Sequence, residues 1–203
     1  PTRRSSDLNM HLKIYEKINP LMPWTLNNRM HDKYIIADGK EVIMGGRNIG
    51  DKYFAPEWYK RAVTNDRDVV VINFGDKGEN SAVDQMSAYF DQIWKHKFSQ
   101  EVNLFTRSIF RKMASSSADG MRKKAAMARD SYRQQFEEAK DLHQVSLATK
   151  KVTFIHNPIQ RFSKEPWCWY ELLGLSKQAK ESVFVQSPYI IPNRKMTKGL
   201  VTR

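Results

Sequence analysis

Apolar and polar residues in this chain alternate in several short runs, and two longer stretches repeat at helical spacing. Residues 12–18 alternate Leu12, Ile14, Tyr15 and Ile18 with lysine and glutamate, which predicts a strand that Asn19-Pro20 and Pro23 then end. Residues 34–37 and 42–44 form two apolar runs separated by Asp38-Gly39, the strongest short hairpin signal. Residues 49–64 are aromatic and irregular, carrying Tyr53, Phe54, Trp58 and Tyr59. Val69 to Ile72 is a continuous β-branched run, which predicts a buried strand.

Ser81 followed three residues later by Asp84 predicts a helix start, and Val83, Met86, Phe90, Ile93 and Trp94 then share one helical face, expected to be core. Past residue 98 the character changes. Ser115-Ser116-Ser117 and Asp119-Gly120 break the chain. Met121, Ala125, Ala128, Tyr132 and Phe136 then recur at helical spacing among Arg122, Lys123, Lys124, Arg129 and Arg133. Such a basic amphipathic helix suits an anionic bilayer, but a connector packed across two lobes is the commoner reason for the pattern. Finally, residues 152–155 predict a strand, 166–180 a helix and 182–186 another strand, an order that implies a parallel α/β unit.

Composition narrows the class without choosing a partner. The 203 residues are 40% hydrophobic and 28% charged, ordinary for a globular chain with its own core. No apolar run approaches a membrane span, and no secretory leader is visible in the sequence. One cysteine, Cys168, excludes an internal disulfide. With 34 Lys+Arg against 22 Asp+Glu, the formal charge of +12 favours anionic partners, whether phospholipid head groups or nucleic acid.

The candidate chemistry is concentrated in HDKYIIADGKEVIMGGRN, residues 31–48. On a strand His31 and Lys33 project to one side. Gly45-Gly46 allows a tight turn and a close approach to a ligand, and Asn48 adds an amide donor. An imidazole can act as nucleophile or acid near neutrality. Lysine and asparagine donate to anionic oxygens, so the set suits attack on a phosphate ester without a metal. A lone His-x-Lys is usually a solvated strand face, and a lone Gly-Gly is usually a turn. Their joint spacing is what points to chemistry. His11, His96 and His143 lack partners at useful spacing, His156 reads as a loop histidine, and no metal cluster is plausible.

That spacing resembles the HxKxxxxD motif of the phospholipase D superfamily with its G[SG]xN tail, matched here by His31, Lys33, Asp38, Gly45, Gly46 and Asn48. The flanks resemble the bacterial cardiolipin synthase C type. GGRNIGDKYF spans residues 45–54, Asp66-Arg67-Asp68-Val69-Val70 fits an Asp-x-Asp-Val strand, and Phe90-Asp91-Gln92-Ile93-Trp94 fits a helix end. Ser187-Pro188-Tyr189 and Pro192 resemble a later SPYFVP segment, so the resemblance runs from about Asn9 onward.

The resemblance implies an α/β fold of phospholipase D lobes, each a β-sheet flanked by helices. Residues 1–8 resemble a translated sequencing adapter, 9–100 the end of a first lobe, 101–150 a helical connector and 151–203 the start of a second lobe. It implies phosphatidyl transfer through a phosphohistidine, with no cofactor. His31 is the expected nucleophile, with leaving-group acid as its second-ranked role; Lys33 and Asn48 hold phosphate oxygens, Gly45 and Gly46 line the substrate, and Asp38 orients its surroundings. Arg47 has no assigned role. The expected setting is the bacterial cytoplasmic membrane surface, with anionic phospholipid as partner and nucleic acid ranking below it. Only one HxKxxxxD occurs, so the chain is expected to be an internal fragment, inactive alone. A phospholipase D-type nuclease that dimerises, a non-catalytic scaffold of the same fold and a generic basic binding module are the alternatives.

Overall fold

The computed structural model describes residues 11–17, 21–23, 30–55, 59–75, 80–101, 141–159, 166–186 and 194–201, together with Gly120, Lys123, Ala126, Met127 and Arg133. The architecture is mixed α/β and divides into two units, Pro1–Val152 and Thr153–Arg203.

In the first unit, β1 (Lys13–Tyr15) pairs antiparallel with β5 (Ser99–Glu101). The strand expected over 12–18 is therefore only three residues long. Its ring, Tyr15, packs with His96 and Phe98. The larger sheet has the order β2 (Tyr34–Ala37), β3 (Glu41–Gly45), β4 (Asp68–Ile72), antiparallel throughout. Its hairpin forms where Asp38-Gly39 predicts it. Asp38 and Gly39 both take positive φ (52° and 65°), as a mirror-image turn matching strand twist requires. The Lys40 amide donates to the Ala37 carbonyl at 2.9 Å, and Ala37 pairs with Glu41.

Helix α2 (Ala82–Lys95) covers one face of this sheet; the single turn α1 (Asp51–Phe54) precedes β4. Ser81 and Asp84 form a reciprocal cap: the Ser81 hydroxyl accepts from the Asp84 amide at 3.2 Å, and the Asp84 carboxylate accepts from the Ser81 amide at 3.1 Å. Ser81→Ala is expected to cost about 1 kcal/mol of stability, read as a lower urea midpoint with an unchanged m-value. The core pairs Val42, in the centre of the sheet, with Ala82, Val83, Met86, Tyr89 and Ile93 of α2. Each fully buried Val contributes roughly 1.5–3 kcal/mol relative to exposure.

Several expectations are corrected here. Phe90 is 42% exposed, because it lies on the rim of the α2 face, between Trp94 and the edge of Tyr34. β4 is a strand but not a buried one; Val69 is 58% exposed. Among the described residues it has a neighbour on one side only, β3, and α2 covers only part of its face. The opposite sheet face carries Ile35, Ile43 and Val70 in cross-strand register, all exposed. Residues 49–64 are not wholly irregular, since they contain α1.

The short helix α3 (Leu142–Val145) belongs to the first unit. The amphipathic pattern expected at 121–136 lies mostly outside the described residues; Lys123, Ala126, Met127 and Arg133 are helical and exposed. In the second unit, α4 (Trp167–Gln178) falls inside the expected 166–180, and α5 (Arg194–Val201) packs against it. Residues 152–155 and 182–186 are not strands, and the expected parallel unit is not formed. A β-branched run reports fitness for a strand and does not by itself make one. Val183, Phe184 and Val185 stand exposed.

Candidate active site

The ends of the His31–Asn48 segment meet at the open end of the hairpin. The Gly45 amide donates to the Lys33 carbonyl at 3.2 Å, so the glycine pair sits beside the His-x-Lys. His31 and Lys33 themselves precede β2, which corrects the expectation that they lie on a strand. What orients them is Asp32. Its carboxylate accepts from the Tyr89 hydroxyl at 2.7 Å, fastening the middle of the tripeptide to α2. Burial raises the Tyr89 phenol far above its ordinary value, and its hydrogen bond to Asp32 adds to that. Burial, then the Asp32 charge, pushes Tyr34 up to about 12. Both rings are therefore neutral donors at any working pH. Lys33 turns its ammonium back onto the His31 carbonyl at 2.5 Å, while the His31 side chain is exposed.

Gly45 and Gly46 are explained by two aspartates. A Cβ on Gly45 would land on the Asp68 carboxyl and 2.9 Å from the Arg67 carbonyl oxygen. A Cβ on Gly46 would land on the Asp66 carboxyl. The close approach that these glycines permit on this side is thus the Asp66-Arg67-Asp68 crossing. Arg47 closes it: its guanidinium pairs with the Asp68 carboxylate, donates to the Asp66 carbonyl at 2.6 Å, and donates through Nε to the Tyr53 carbonyl at 3.2 Å. Arg47, unassigned from sequence, is a clamp joining the glycine turn, α1 and the start of β4.

The clamp presents Asn48 and Tyr53 at the exposed end. The Asn48 amide donates to the Tyr53 phenol oxygen at 2.7 Å. That hydrogen bond is the largest influence lowering the Tyr53 phenol below its ordinary value of 10.0, and the ammonium groups of Lys52 and Lys33 lower it further. An amide thus donates to this oxygen, and the positive charge nearby favours negative charge there.

Asp38 does not join this group. It lies in the hairpin turn, at the other end of the four-residue β2, which at roughly 3.3 Å per residue carries it more than about 10 Å from Lys33. The sequence reading missed Asp32, Tyr89, Tyr53 and the aspartate crossing. Only the adjacency of Asp-x-Asp to a glycine-clamped hairpin could have hinted at the last. It also left His143 without a partner; its ring nitrogen lies 2.7 Å from the Glu41 carboxylate and its ring meets Phe74 edge-on. In the second unit, His156 stacks on Phe154 and its Nδ1 lies 2.8 Å from the Asn157 carbonyl. Among the described residues, no cluster of three or more His, Cys, Asp or Glu is arranged to hold a metal ion, and no helix is long and apolar enough to cross a membrane.

No protein-family model matches the chain, and no solved structure matches it. It is similar to an uncharacterized protein of Helicobacter pylori strain 26695, 25% identical over 181 residues, covering 85% of this chain and 34% of that protein. An uncharacterized protein of Helicobacter pylori strain J99 is 27% identical over 191 residues, with the same coverage of 85% and 34%. The chain therefore spans about a third of the length of these curated relatives.

Proposed function

We propose that this chain carries one half of a phosphodiester-transfer site of the phospholipase D kind. The observation that supports it is the main-chain bond from Gly45 to Lys33, which sets the glycine turn that leads to Asn48 beside an exposed imidazole on a fastened tripeptide. In this reading a His31 ring nitrogen attacks phosphorus, and the phosphorus–oxygen bond to the leaving alcohol breaks. Lys33 and Asn48 hold the non-bridging oxygens. The leaving alkoxide needs a proton from the far side of phosphorus, which His31 cannot reach, so a second acid must come from a second copy or from another lobe. An acceptor alcohol, or water, then releases the phosphoryl group from the imidazole.

The substrate class proposed is a phospholipid phosphodiester at an anionic membrane surface, with cardiolipin as a product of transfer between phosphatidylglycerols. The positive charge of +12 fits such a surface. The test is turnover of phosphatidylglycerol vesicles by the chain and by any longer natural polypeptide that carries it, in the presence of EDTA. Product formation that survives the chelator, with an acid-labile phosphoryl label on the protein, is the expected result. Loss of activity in EDTA, restored by a divalent cation, would contradict a mechanism built on imidazole, ammonium and amide. Turnover of DNA with lipid untouched would move the substrate class to nucleic acid.

A further inference from the structure

We propose that Tyr53 touches the substrate: its phenolic O–H donates to a non-bridging oxygen of the phosphoryl group held at His31 and Lys33. This deepens the reading above and rests on it.

The ring is held at both ends. Its main-chain amide donates to the Gly50 carbonyl at 3.0 Å, and its carbonyl accepts from the Arg47 clamp. At the other end the phenol oxygen accepts from Asn48 at 2.7 Å, and the Lys52 ammonium lies over the ring, 4.8 Å from its centroid. A phenol oxygen has two acceptor positions and one proton. Asn48 takes one acceptor position, so the proton points away from that amide. Among the described residues no acceptor takes it. The ring is half-exposed, so the proton is available to a ligand. Every charged group acting on the oxygen is a cation: Lys52 from its own helical turn and Lys33 from the segment before β2. An anionic oxygen placed there meets one O–H in a cationic surrounding. A phenol already below its usual range is a stronger donor than an ordinary tyrosine.

The test uses inorganic phosphate as the probe and the full chain labelled with ring-13C tyrosine. In the free protein one tyrosine resonance, absent in Tyr53→Phe, is expected to titrate below the ordinary phenol range. Saturating phosphate should move that midpoint upward, because a bound anion that accepts the proton opposes its loss. Phosphate affinity should fall as pH rises through the Tyr53 titration. Tyr53→Phe keeps the ring and both main-chain bonds, and is expected to weaken phosphate binding about 10-fold, the size of a hydrogen bond to a charged group. Lys33→Ala separates the two ideas. If Lys33→Ala weakens binding while Tyr53→Phe does not and the resonance stays put, the Tyr53 contact is overturned and the phosphate corner stands. If neither variant weakens binding, both are overturned. If Tyr53→Phe weakens binding but phosphate leaves the wild-type resonance unmoved, Tyr53 only positions Asn48 and the proposed contact is overturned.

Discussion

Replacing His31 with alanine, in a polypeptide or assembly that completes the site, is expected to abolish phosphodiester turnover while leaving the fold intact. The side chain is exposed and anchors no other element, the fastening of its neighbourhood being done by Asp32 and Tyr89. Its removal should therefore shift stability by no more than about 0.5 kcal/mol, the usual range for a surface change. Activity is another matter. Lys33, Asn48 and Tyr53 bind oxygens, but none of them replaces an imidazole that accepts a phosphoryl group near neutral pH. A loss of at least about 1,000-fold is expected, comparable to removing the nucleophile from other covalent enzymes. Lys33→Ala should lose less, on the order of 100-fold, since it removes one donor to the transferring group. Initial rates on phosphatidylglycerol, with urea unfolding of the same samples, separate the two effects. A His31→Ala variant with near wild-type rates would sink the nucleophile assignment.

Gly45→Ala should produce the largest effect on stability. The new methyl would collide with the Asp68 carboxyl, itself held by Arg47, and would press on the Arg67 carbonyl, which is backbone and cannot swing away. Relief requires β4 to separate from β3 or Arg47 to release Asp68. Overpacking of this kind costs about 1–3 kcal/mol, and because Asn48 and Tyr53 hang from the same clamp, phosphate binding should weaken with it. Pairing Gly45→Ala with Asp68→Ala should recover part of the stability but not the binding, since the carboxylate that fixes Arg47 is gone. An additive double variant, measured by denaturant unfolding, would show that the aspartate is not what forbids the methyl.

These features differ in how readable they were. The hairpin was legible because its signals are local: a two-residue turn needing positive φ between two apolar runs. The α2 helix was equally legible from Ser81, Asp84 and the spacing of Val83, Met86 and Ile93. The exposure of β4 was not, because a β-branched run reports fitness for a strand and says nothing about which faces are covered. The missing strands at 152–155 and 182–186 follow the same logic. Pairings across long separations were invisible as well: Asp32 with Tyr89 spans 57 residues and Glu41 with His143 spans 102. The site was half legible. Spacing marked His31, Lys33, Gly45, Gly46 and Asn48 as a group, and the hairpin does bring them to one end. Spacing could not show that Asp38 is carried away by the same hairpin, or that Arg47 spends its donors on the protein itself.

The order β2-β3-β4 has a consequence for isotope exchange. Amides of β3 face a neighbour on either side, whereas along β2 and β4 successive amides point alternately toward β3 and away from it. Deuterium uptake should therefore be uniformly slow through Val42 to Met44 and should alternate, residue by residue, along both outer strands. The slow amides of β2 would include those facing β3 next to Lys33, so the motif's own end of the sheet would act as its timekeeper. Any partner that adds a strand beside β2 or β4 would erase the alternation on that strand alone, which makes the pattern a direct reporter of which edge is taken.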